Sequence, residues 1–75
     1  MELKEFCLLI KEQYSDKSIQ ILPDTDFRDN DDFDSLVGMA ILTVIKENFD
    51  YGMTVPEFLD CKTPADLYAA IINGK

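Results

Sequence analysis

The stretch "DDFDSLVGMAIL", residues 31–42, decides the fold: a run of acidic residues stops at Ser35, where a dense apolar run begins. Asp34 suits a helix N-cap, because its carboxylate can accept the amide protons that a first helical turn leaves without intrahelical acceptors. The helix this predicts spans about 35–48. Leu36, Val37, Met39, Ala40, Ile41, Leu42, Val44 and Ile45 leave it almost no polar face, so it is either central or partly reserved for a partner. Gly38 in its interior costs about 1 kcal/mol relative to Ala, which points to something packed close against it, another helix being the expected neighbour.

Outward from this helix, the punctuation is helical throughout. In "MELKEFCLLIKEQY", Leu3, Phe6, Cys7, Ile10 and Tyr14 recur at helical spacing, predicting a first helix that ends near Ser15. Residues 16–33 break any period and read as a loop, unusually long for a small domain and therefore functional or internally packed. Ile19, Ile21, Leu22 and Phe27 are its candidate anchors. Beyond the turn around Gly52, Pro56 can open a short helix over 56–60. In "KTPADLYAAIING", Thr63 can cap, Pro64 fits the first helical position, Asp66 completes a capping box and Gly74 follows the last apolar residue. Leu67, Tyr68, Ala70, Ile71 and Ile72 form the expected buried stripe of this last helix. No strand alternation is present. The expected architecture is all-α: one domain over residues 1–75, with three main helices, one short helix and a long first loop.

Composition narrows the function. Seventy-five residues bury only about 60% of the surface their unfolded chain exposes, which leaves no room for a deep catalytic cleft. Fifteen acidic residues against seven basic ones give a net charge of −8, which repels nucleic-acid phosphates and favours partners with Lys and Arg patches. Histidine is absent, removing Ser-His and Cys-His nucleophiles and the commonest metal ligand. Intrinsic catalysis is therefore not expected. Cys7 and Cys61 lack CxxC spacing, and the first residues lack a secretory signal, so free thiols in a cytoplasmic protein are the expectation. No apolar run approaches the roughly 20 residues a membrane span needs. The acidic residues 24–34 fail as a calcium loop: counted from Asp29, the fifth position is Phe33 and the sixth is Asp34 where glycine is required. No metal site is expected.

Ser35 admits two readings. It can be merely a residue at a helix start, where Ser and Asp are common. Alternatively, its hydroxyl lies near unpaired backbone amides and the positive end of the helix dipole, a place suited to hold a phosphate.

Asp34-Ser35-Leu36 at the start of the second helix of a small acidic helical domain resembles the acyl carrier protein family. The resemblance spans almost the whole chain: "TDFRDNDDFDSL" is similar to the end of the family's long first loop, "ENFDYGM" to the exit of its second helix, and "KTPADLYAAI" to its last helix. It implies that a phosphopantetheinyl transferase (holo-synthase) attaches 4′-phosphopantetheine from coenzyme A to Ser35, with Asp34 beside it. It also implies that the arm's thiol, rather than Cys7 or Cys61, carries acyl groups as thioesters. The partners implied are an acyl-loading ligase or transferase and ketosynthase or acyltransferase-type enzymes with basic docking surfaces, in fatty acid, lipid or polyketide-type metabolism, acting on a monomeric carrier that itself performs no chemistry.

Two departures stand out. Where the family commonly has Leu-Gly before the motif, this chain has Asp31-Asp32, with Phe33 available to take over the apolar contact. The face of the second helix, usually acidic in fatty acid carriers, here presents Val37, Met39, Ala40 and Thr43, with Glu47 the remaining acid beside Lys46. Docking is therefore expected to use apolar contact from Leu36, Val37, Met39 and Ala40, with Thr43 and Glu47 further along the helix. The acid is expected from Asp29, Asp31, Asp32 and Asp34. Val37 has a core-facing alternative. Peptidyl and D-alanyl carriers share the fold and arm, and a helical interaction module without a prosthetic group is the competing class.

Overall fold

Phe6, Cys7 and Ile10 face inward from α1 (Leu3–Glu12) in the computed structural model of the chain, which describes residues 1–74. The helix opens with a capping box in which the Glu2 amide donates to Glu5 Oε1 at 3.1 Å. It stops at Glu12, earlier than the periodicity predicts: the amides of Gln13 and Tyr14 tighten onto the carbonyls of Ile10 (3.0 Å) and Lys11 (3.1 Å), and the next ones leave the helix altogether. Those of Ser15 and Asp16 donate to Asp32 Oδ2 at 2.7 and 3.0 Å. Tyr14 still completes the apolar stripe from the turn, fully buried, with its hydroxyl donating to the carbonyl of Phe27.

The loop over 16–33 contains no helix and is internally packed, as its length suggested. Phe27 and Ile21 are buried and Ile19 is partly so, whereas Leu22 is exposed and does not anchor the loop as expected. Phe27 sits 5.5 Å from Phe58 and 6.2 Å from Phe33, centroid to centroid, and Phe33 is partly buried against the core. Backbone bonds from Phe27 N to Lys62 O (3.2 Å) and from Ala65 N to Pro23 O (3.0 Å) fasten the loop to the segment between the last two helices.

Helix α2 (Ser35–Phe49) buries Val37, Gly38, Ile41, Ile45 and Phe49, a row at three- and four-residue spacing. Its C-terminal cap, Asp50, is left-handed (φ 52°, ψ 40°) and returns its amide to Lys46 O. A Cβ built on Gly38 would lie 3.5 Å from Phe33 Cζ and 3.8 Å from Phe58 Cε2, so the expected close neighbour is a loop ring as well as a helix. The short helix α3 (Val55–Leu59) starts one residue before Pro56, capped by Thr54 Oγ1, which accepts from Glu57 N at 3.3 Å. In α4 (Pro64–Gly74) the Thr63–Asp66 capping box forms, with amide-to-oxygen distances of 3.1 and 3.4 Å. Leu67 and Ile71 are buried, but Ile72 is 51% exposed and leaves the predicted stripe. Gly74 is the last helical residue rather than the one after it, and a Cβ there would stand 2.6 Å from the Tyr51 ring.

Four helices and no strand occur among the described residues, and none of these helices is long and apolar enough to cross a membrane. The core is a bundle interior joined by aromatic edges, such as the 5.5 Å T-shaped contact of Phe6 with Phe49. This arrangement fixes the start of α2 between the loop and α3.

Candidate functional site

Asp34, in extended conformation, caps α2: its Oδ1 accepts from Val37 N at 2.9 Å and its carbonyl from Gly38 N at 3.0 Å. Capping therefore falls to Asp34, and Ser35 is an exposed first-turn residue not needed for that purpose. The amides of Ser35 and Leu36 belong to the set with no intrahelical acceptor, at the positive end of a fifteen-residue helix. An anion bonded to Ser35 Oγ would be held favourably there.

Beside Ser35 opens a groove of about 440 Å³ between α2 and α3. Asp34 and Ser35 form one end. Gly38, Met39 and Leu42 line it from α2, Val55, Phe58 and Leu59 from α3, and Phe33 from the loop. The sequence pointed to the α2 members but not to α3 as the opposite wall. The available signal was the number of large apolar side chains in "TVPEFL", of which Val55 and Leu59 are more than half exposed.

The residues expected to dock partners divide. Leu36 is 79% exposed and Met39 58%, with Ala40 half-buried, so the N-terminal part of this side of α2 is an apolar surface, followed by the open Thr43 and Glu47. Val37 is only 6% exposed and belongs to the core, one side of its helix away from Leu36; the surface contact expected of it is corrected accordingly. Asp29, Asp31 and Asp34 are exposed. Asp32 is half-buried and its carboxylate binds two backbone amides, which makes it a structural tie before it is a docking charge. Asp16, Asp29, Asp31 and Asp32 line a shallow depression of about 470 Å³. Among the described residues no group of three or more His, Cys, Asp or Glu is placed to hold a metal ion.

Cys7 and Cys61 are free and buried, and burial pushes both thiols above their ordinary range, which suppresses the reactive thiolate. Burial, with Asp32 and Asp26 nearby, pushes Tyr14 up to about 12.

A family model described as "Phosphopantetheine attachment site" matches residues 5–71. No curated protein and no solved structure gives a significant match. An exposed hydroxyl at the first turn of α2, beside an apolar groove, fits the group that gives this family its name.

Proposed function

The chain belongs to the phosphopantetheine attachment-site family of carrier domains, and from that premise we propose that it is an acyl carrier protein whose attachment residue is Ser35. Domains of this family hold 4′-phosphopantetheine covalently on a serine and carry intermediates rather than transform them. The observation that carries the assignment to Ser35 is the division of labour at the start of α2. Asp34 takes the capping bond, leaving the neighbouring hydroxyl exposed beside unpaired amides and the mouth of the groove. When bound, the group supplies a thiol on a flexible arm, where acyl cargo is held as a thioester.

This chain's own residues then do three things. The first-turn amides and the dipole of α2 stabilise the phosphodiester charge. The α2–α3 groove, with walls of Met39, Leu42, Val55, Phe58 and Leu59, shields apolar cargo, each buried methylene contributing about 0.8 kcal/mol. Leu36, Met39, Ala40, Thr43 and Glu47, with the exposed Asp31 nearby in sequence, meet partner enzymes. The groove favours acyl over aminoacyl or peptidyl cargo, because burying an ammonium group against apolar walls incurs a desolvation penalty. An apolar rather than acidic α2 face suits a dedicated partner set within fatty acid, lipid or polyketide-type metabolism. A single carrier domain over residues 1–75, acting as a cytoplasmic monomer, completes the proposal.

The test is the mass of the protein after incubation with coenzyme A and a broad-specificity phosphopantetheinyl transferase. The expected reaction forms a phosphoester bond to Ser35 Oγ, breaks the pyrophosphate of coenzyme A and releases 3′,5′-ADP. Wild type should gain one arm and Ser35→Ala none. Modification that persists in the variant, or a wild type left unmodified, overturns the assignment.

A further inference from the structure

We propose that the apolar recess between α1 and the loop over 16–33 is a second docking surface, built for a protein partner that presents one large apolar side chain flanked by carboxylates. The recess holds about 280 Å³ and is lined by Lys4, Cys7 and Leu8 from α1 and by Ile21, Leu22 and Pro23 from the loop. It shares no lining residue with the groove beside Ser35.

Floor and rim differ in character. Cys7 and Ile21 are buried, whereas Leu8 is 56% and Leu22 46% exposed. The exposure of Leu22 is a fixed feature, because its amide donates to Thr25 Oγ1 at 2.9 Å and its carbonyl accepts from Thr25 N at 3.0 Å. Pro23 is fastened too, its carbonyl accepting from Ala65 N. Two large apolar side chains are therefore held in water at the edge of a recess whose walls are already in place. A preorganised apolar site of this kind is what an interface anchor fills. Its volume falls below that of the usual metabolite pocket, which runs from about 300 to 1,000 Å³ and encloses its ligand.

Charge selects the partner. Lys4, Leu8 and Lys11 follow one another at four- and three-residue spacing and so share one face of α1. Among the described residues neither lysine has an ion pair or a hydrogen bond, although the chain carries fifteen acidic residues. Glu5 and Glu12 stand about 80–100° further round the helix, and Glu5 Oε1 is taken by the Glu2 amide. On a molecule of net charge −8, this face presents two ammonium groups beside an apolar recess and complements an acidic protein surface. An anionic bilayer is disfavoured on two counts: it repels the molecule as a whole, and a flat lipid surface leaves a recess unfilled. A second copy would bring a further −8 against the first.

The probe is a short peptide with one phenylalanine between two glutamates on each side, and the control replaces those glutamates by lysines. In two-dimensional amide NMR of the full chain at low salt, the acidic peptide should shift Lys4, Leu8, Ile21 and Leu22, and the basic one should not. Leu8→Asp, at an exposed position where the fold tolerates it, should weaken that binding about tenfold. Lys4→Glu should weaken it at low salt and much less at high salt. Ser35→Ala should bind as wild type does, so the result is independent of the arm and of the carrier reading. An acidic peptide that leaves those amides unmoved, or that binds Leu8→Asp as tightly as wild type, overturns the proposal. Tighter binding to phosphatidylglycerol vesicles than to the peptide, or a dimer that Leu8→Asp dissolves, assigns the face to lipid or to a second copy and overturns it as well.

Discussion

Asp32 Oδ2 accepts the backbone amide of Ser15 at 2.7 Å, joining the end of α1 to the loop just before Ser35. The same oxygen accepts from Asp16 N at 3.0 Å, so one carboxylate ties the turn after the first helix to the approach to the second. Adjacent acids consequently have different roles. Asp32→Ala should destabilise the protein by about 1–3 kcal/mol, through two amides that lose a charged acceptor, whereas the exposed Asp31→Ala should stay within about 0.5 kcal/mol. Urea unfolding of the two variants measures the contrast; equal effects would remove the structural role given to Asp32.

A second contrast separates capping from attachment. Asp34→Ala should lose about 0.5–2 kcal/mol, the usual range for an N-cap carboxylate. Ser35→Ala should change stability by no more than about 0.5 kcal/mol while abolishing arm attachment. Thermal unfolding beside intact-mass analysis distinguishes the two, and a large loss of stability in Ser35→Ala would return the serine to an ordinary structural part.

Alkaline stability reports on Tyr14. Its folded pKa, about 12, lies above the ordinary value of 10.0, so the unfolded chain releases the phenolic proton first. Its contribution is complete below pH 10 and is lost as pH rises toward 12, on the order of 2–3 kcal/mol in all. Burial also raises Cys7 and Cys61, which adds to the alkaline loss in any variant that retains them. Tyr14→Phe should begin about 1 kcal/mol less stable at neutral pH, from the lost bond to Phe27 O, and then decline less steeply between pH 10 and 12. Parallel denaturation curves for the two proteins across that window would contradict the shift.

The α2 surface can be tested against its acidic surroundings. Met39→Glu and Leu36→Asp should leave the fold within about 0.5 kcal/mol of wild type, since both side chains are largely exposed, and should weaken modification by the transferase or capture by an acyl-loading enzyme. Asp31→Lys should weaken the same binding at low salt and much less at high salt. Titrations at two ionic strengths decide the matter. Binding indifferent to Met39→Glu would exclude the apolar contact, and a salt-independent effect of Asp31→Lys would exclude its electrostatic part.

The helical architecture was legible because its signals are local. Asp34 before an apolar run, Thr63-Pro64 with Asp66, and Pro56 each specify a helix start through nearby side-chain and backbone geometry. The turn that follows α1 was less legible, since it is held by Asp32, sixteen and seventeen residues from the amides it binds. For the same reason Val37 and Leu36 could not be told apart: in a helix apolar on nearly every side, only the neighbours decide that one is 6% and the other 79% exposed. Ser35 could be singled out by position and family resemblance. The groove wall on α3 emerges only when Phe58 is brought over Gly38 by tertiary packing.

Among the described residues the one ion pair is Lys46–Asp50, at 3.1 Å and largely exposed, and such a pair adds little to stability. The chain's excess of eight negative charges is thus left without internal compensation, and the folded state relies on greasy contacts and capped helix ends. Dissolved electrolyte should therefore act in two opposing directions: dampening the molecule's self-repulsion firms its architecture, while the same screening blunts the long-range pull that draws cationic enzymes toward it.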